Sequence, residues 1–157
     1  MALVLILLVI ALPATLDWGR GAGMRTSAAN LRSSLGVARR WAVSHNARTR
    51  LVCGNDMSAN RGYCVVRSLV NSNWARIGNT NYLAKGIGLS TTNQAGYIYF
   101  GTNDVGHIGF GTDGSCVAEI TNRQTLNIVL VELDRLPDGL KSTITVYRTT
   151  GYAKALE

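Results

Sequence analysis

The first twelve residues, MALVLILLVIAL, carry no charge and almost nothing polar; Pro13 closes the run, and an arginine-rich stretch with a helical apolar period begins at Met24. This switch constrains the chain more than anything else in it. An apolar stem joined to a soluble domain belongs at a membrane or packed inside something equally apolar. Twelve residues are too few for an ordinary span, which needs about 20 at 1.5 Å each. They match the h-region of a signal peptide, but such peptides open with a basic n-region, and here only Met1 precedes the run. A third reading is a stem that has lost residues at its start.

Residues 13–23, PATLDWGRGAG, hold a proline and three glycines, so a kink or unwound stretch is expected there. This divides the chain into a stem and junction over 1–23 and a globular domain over 24–157, the domain being a helix over 24–45 and a β-domain over 48–157. Ala28, Leu31, Leu35, Ala38 and Ala42 recur at spacings of three and four, a narrow apolar stripe suited to lying close on a sheet. Arg25, Arg32, Arg39 and Arg40 fall mainly off it, and the helix should stop near 44–46.

The remainder reads as short strands at 49–53, 63–69, 73–78, 86–90, 96–101, 106–111, 116–120, 125–133 and 142–148, with turn signals every eight to twelve residues. The strongest is TLNIVLVEL, apolar on both faces and therefore expected in mid-sheet with cover on each side. The fold class is α+β: a hydrophobic stem helix continuing into an amphipathic helix packed on an antiparallel sheet or sandwich.

Sixteen Lys+Arg against nine Asp+Glu give a net charge of +7. That balance suits nucleic acid, anionic lipid or an acidic partner, but the excess is spread thinly and no basic run forms. Cys53 and Cys64 flank GNDMSANRG, a loop of turn-formers, so two strands joined there would bring them within disulfide range. The expectation is an exported domain with a Cys53–Cys64 bridge and Cys116 as a buried free thiol, the alternative being three reduced core cysteines. No zinc spacing is present, and no metal or cofactor is expected.

Phe100-Gly-Thr-Asn-Asp recurs as Phe110-Gly-Thr-Asp-Gly, as two strands ending in similar loops would. Asn103, Asp104 and Asp113 read either as calcium ligands or, more simply, as Asx turn-formers. Hydrolase, nucleotide and zinc-protease motifs are absent. One constellation is chemically sufficient for acyl transfer: Cys116 as thiolate, His107 as base, and Arg123 steadying an oxyanion. Against it, cysteine is commonly a buried, inert residue. Trp18 suits head-group depth at the stem junction, and Trp41 could pack under the sheet. Trp74, Tyr97 and Tyr99 read as ordinary sheet residues. Arg148, Tyr152 and Lys154 form the one stretch where basic and aromatic residues interleave as a single-strand platform requires.

Apolar stem, Gly/Pro interruption, amphipathic helix and β-domain follow in an order that resembles the type IV pilin superfamily, specifically minor pilins and pseudopilins of the GspH/FimT type. The likeness is carried by LRSSLGVARRWAVSHNARTRLVC from Leu31 to Cys53, by Ile108-Gly-Phe110-Gly-Thr-Asp113-Gly114, and by the closing ITVYRTTGYAK. The resemblance implies a non-enzymatic filament subunit. Its stem would sit in the bacterial inner membrane as a single pass until it packs against other pilins or pseudopilins, with the domain in the periplasm or outside the cell. A type II secretion pseudopilus and a type IV pilus use the same parts. The basic leader, the cleaved Gly and the following Glu of prepilins are not in this sequence; about five to ten further residues ahead of Met1 would lengthen the stem to a full span. An alternative is a DNA-binding minor pilin for uptake, touching DNA through Arg148, Tyr152 and Lys154. Here Gly151-Tyr152-Ala153-Lys154 stands where the DNA-binding FimT-type proteins have two arginines, and lysine lacks the bidentate fork for phosphate.

Overall fold

The computed structural model describes residues 2–90, 106–117, 125–136 and 138–156, with side chains from 21 to 155. Helix α1 spans Ala2–Ser44 without interruption. The unwound stretch expected at 13–23 is therefore not found. Breaking the helix there would create two new ends, each with four unbonded backbone groups, and would require a second nucleation. Pro13 withholds one donor and crowds the carbonyl four residues back, at about 3 kcal/mol, and each interior glycine costs about 1 kcal/mol, penalties the continuous helix absorbs. α1 ends in a Schellman cap: Ala47 N–H donates to Ala42 C=O at 3.1 Å and Asn46 N–H to Val43 C=O at 3.4 Å, with Asn46 at φ 48°.

The strands are β1 (Thr49–Asp56), β2 (Arg61–Val70), β3 (Asn73–Tyr82), β4 (Ile87–Leu89), β5 (Gly106–Phe110), β6 (Cys116–Val117), β7 (Thr125–Glu132), β8 (Lys141–Tyr147) and β9 (Ala153–Leu156). They form a five-stranded sheet in the order β3-β2-β1-β5-β6 and a four-stranded sheet in the order β4-β7-β8-β9, antiparallel in every pair. β7 sits between β4 and β8, as its two apolar faces require. β9 is not legible in the sequence, because AKAL is too short and too alanine-rich to read as a strand. The expected strand at 96–101 lies outside the described residues.

Turn chemistry sets the registers. Asn71 and Ser72, both at positive φ, make the two-residue β2–β3 hairpin. Asp56 Oδ1 caps the β1–β2 turn by accepting from Ser58 N–H and Ala59 N–H, each at 3.1 Å, and from Ser58 Oγ–H at 2.6 Å.

α1 contacts strands of both sheets and shares one core with them. Its stripe is buried as expected, with Leu31, Leu35, Ala38 and Ala42 fully covered. The inner faces supply Leu51, Val66, Ile108 and Phe110 from one sheet and Leu126, Ile128, Ile144 and Val146 from the other. Small polar residues on the helix allow close approach and are satisfied there. Thr49 Oγ1 donates to Ala38 C=O at 2.8 Å, Asn81 Nδ2 to Ser34 Oγ at 2.8 Å, and Ala84 N–H to Ser27 Oγ at 2.9 Å. Asn55 joins the sheets: its Nδ2 donates to Leu89 C=O and its Oδ1 accepts from Leu89 N–H, both at 2.8 Å.

Candidate functional site

Arg25, Arg32 and Arg39 recur every seven residues, two helical turns, so they share a face of α1 beside the buried stripe. That face runs along β8 and β9 and forms two adjoining hollows that share Arg32. One, of about 350 Å³, lies among Met24, Arg25, Ala28, Arg32, Leu140 and Lys141. The other, of about 340 Å³, lies among Arg32, Arg39, Arg40, Gly151, Tyr152 and Ala153. Together they make a groove with an apolar floor and cationic walls, the chemistry of a site for an elongated anion.

Two glycines shape its far end. Gly114 (φ 79°) and Gly151 (φ 61°) adopt the left-handed conformation that only glycine reaches without strain. A Cβ on Gly114 would lie 3.0 Å from Val43 and 3.2 Å from Arg39 Nε, and one on Gly151 would run into the Gly114 carbonyl oxygen. The β5–β6 and β8–β9 turns can thus close on the Arg39 stem, and Cys116 N–H donates to Arg148 C=O at 2.7 Å between them. Arg39 Nε is buried with no hydrogen-bond partner among the described residues.

The C-terminal residues singled out in the sequence do not form one cluster. Tyr152, 56% exposed, lies at the groove and stacks on Tyr147 with ring centroids 6.5 Å apart. Lys154 alternates with Ala153 and Ala155, which line the groove, and so projects from the opposite face of β9. Arg148 is half-buried near Cys116. The helix arginines are the members of the site that sequence reasoning missed; their seven-residue spacing was the available signal.

The acyl-transfer constellation is not assembled. Cys116 pairs with Phe110 and enters the core, whereas His107, three residues back along β5, projects to the opposite, exposed face. Burial pushes the Cys116 thiol up to about 11, with Arg148 opposing the rise, so the thiolate is disfavoured at neutral pH. Arg123 lies outside the described residues, as do Asn103, Asp104, Tyr97 and Tyr99. Asp113 takes the Asx role: its Oδ1 accepts from Ser115 N–H at 2.9 Å and Ser115 Oγ–H at 2.7 Å. No group of three metal-ligating side chains occurs among the described residues. Trp41 is half-buried and stacks on His45 at 3.9 Å rather than tucking under a sheet.

Cys53 and Cys64 are brought directly opposite each other in the β1–β2 ladder, both buried. Leu69 N–H donates to Arg48 C=O, which makes 48/69 a hydrogen-bonded pair; five steps along, 53/64 is by parity a non-hydrogen-bonded pair, where Cα atoms approach to about 4.5 Å. That lies within disulfide range. The bridge itself is not formed: both are free thiols, as is Cys116. Burial, reinforced by the neighbouring Cys64, pushes the Cys53 thiol well up.

No helix among the described residues is long and apolar enough to cross a membrane. No family model, curated protein or solved structure matches the chain.

Proposed function

We propose that this chain is a non-enzymatic subunit of a pilus or secretion pseudopilus that assembles through its N-terminal helix. One observation carries the reading: a 43-residue helix begins in the apolar run MALVLILLVIAL and, among the described side chains, packs on the β-domain through a stripe from Met24 to Ala42. At 1.5 Å per residue the helix is about 65 Å long, against a radius of gyration of about 14 Å for a compact domain of this size. A helix of that length has more surface than its own domain can cover. An apolar first half is suited to lipid before assembly and to other stems afterwards. The buried residues Ile108 and Phe110 and the left-handed Gly114 give the family-like turn a structural reason.

The test is fractionation of bacteria producing the full chain, followed by crosslinking of single cysteines placed in residues 3–12. The expected result is inner-membrane recovery, a domain digestible from the periplasmic side, and stem-to-stem crosslinks. Val9→Asp, at about 2.5–3.5 kcal/mol for a carboxylate at a helix centre in lipid, should release the chain. A native chain recovered in the cytosolic fraction overturns the reading.

A second reading, DNA capture by such a subunit, is supported by the groove, where Arg32, Arg39 and Arg40 surround Tyr152. Loss of duplex binding on Arg32→Gln with Arg40→Gln is the result expected of it; unchanged binding removes it.

A further inference from the structure

On the face of the five-stranded sheet turned away from the core, three arginines stand side by side. Arg50 on β1 is the Cα partner of Arg67 on β2, which is the Cα partner of Arg76 on β3. Adjacent strands are about 4.8 Å apart, so three like charges lie in one transverse row, an arrangement that destabilises a sheet. On the far side of Arg50 the ladder partner is Gly109, which adds no side chain to the row.

Two guanidinium groups of this face rest on aromatic rings. Arg50 lies 4.1 Å over the Trp74 ring, and Arg61 lies 4.0 Å over Tyr82. Arg76 Nε donates to Gly78 C=O at 3.0 Å. The Nε atoms of Arg61 and Arg67 are buried without a hydrogen-bond partner among the described residues. About 13 Å along β2 from the arginine row, Tyr63 and Tyr82 flank a shallow polar hollow of about 420 Å³. The one carboxylate on this face among the described residues, Asp56, is engaged by its own turn.

We infer that this face is a binding surface for single-stranded nucleic acid. Phosphates would lie along Arg50, Arg67 and Arg76, and a base would enter the hollow beside Tyr63 and the half-exposed ring of Tyr82. Arginine on an aromatic ring presents a fixed fork to phosphate oxygens with little ordering left to do. Interleaved cations and aromatic side chains are the ingredients of sequence-tolerant single-strand binding. An acidic protein partner would answer the charge but would leave the aromatic hollow without a role. The surface is distinct from the α1 groove and does not depend on filament assembly.

The test uses the full chain in mild detergent and a fluorescent oligothymidylate, read by anisotropy over a salt series. Binding is expected at low salt, and Arg67→Gln with Arg76→Gln should weaken it by about tenfold or more while the log–log salt slope falls by about 1.4, or ~0.7 for each phosphate that is no longer neutralised. Tyr82→Ala should weaken binding by about fivefold or more. The double arginine variant should melt no lower than the native chain. Lys85→Gln with Arg135→Gln, exposed residues that line neither surface, removes the same charge and should leave oligonucleotide affinity unchanged. No binding by the native chain overturns the inference. So does equal weakening by both double variants, which marks diffuse attraction, or binding to phosphatidylglycerol vesicles without binding to the oligonucleotide.

Discussion

The two faces of the five-stranded sheet are built from alternate residues of the same strands, yet they answer to different demands. The inner face, with Leu51, Cys53, Cys64, Val66 and Phe110, is buried and tied to the helix by the Thr49 hydroxyl. The outer face carries Arg50, Arg67 and Arg76 in register, with Trp74 and Tyr82 beneath guanidinium groups. Stability is concentrated on the first and charge on the second. A one-residue slip would exchange them, so the ladder register that protects the core also lines up the arginines.

The comparison breaks most clearly at Phe110. Phe110→Ala should cost about 3–5 kcal/mol, from lost burial plus the cavity left behind, read as a lower urea midpoint. Next comes the cysteine pair. A Cys53–Cys64 bridge would close an eleven-residue step, contributing roughly 2.5–3 kcal/mol by loop entropy. Exported protein should therefore lose stability on reduction, and unreduced digests should contain a Cys53–Cys64 peptide with Cys116 free. Cys116 linked to either partner would refute the pairing. The burial that raises the Cys53 thiol also makes oxidation slow once the sheet has closed, because the thiolate is the reactive species.

Thr49→Val tests the tie between the inner face and the helix. It removes the 2.8 Å bond to the Ala38 carbonyl while nearly keeping volume, and should cost about 1–2 kcal/mol in the same denaturation assay. On the outer face the sign reverses: Arg67→Gln should leave the melting temperature unchanged or raise it, a gain of about 0.2–1 kcal/mol at most. A marked loss there would show that the arginine row supports the fold.

The smallest effect expected is at the turn carboxylates. Hydrogen bonds from Ser58 and Ala59 hold the Asp56 carboxyl below its ordinary range, and those from Ser115 do the same for Asp113. A carboxyl depressed in the folded state adds stability that is fully present above its unfolded value, near 4, and is lost as pH falls through the folded value. Both groups are exposed, so the contribution is small, and it should be seen as low midpoints for these two aspartates in a carboxyl NMR titration. Midpoints at or above the ordinary value would show that the caps are not formed in solution.

The sequence by itself determined the elements that rest on local pattern. The 3-and-4 stripe from Ala28 to Ala42 specified which helix face is buried, His-Asn after Ser44 marked the cap, and the doubly apolar TLNIVLVEL marked the central strand. Each is legible because neighbours in sequence are neighbours in the element. Glycine and proline at 13–23 misled for the same reason: local propensity weakens a helix there but does not count the cost of two new ends. What the tertiary structure alone decided is which strands became partners. It put His107 and Cys116 on opposite faces and turned Lys154 away from the groove. It also placed Arg50, Arg67 and Arg76 in one row, although 17 residues separate the first two in the chain and nine the last two. Residue order says what a strand contains; only the hydrogen-bonded register, fixed by turns and by the packing of the inner faces on one another, says what stands beside it.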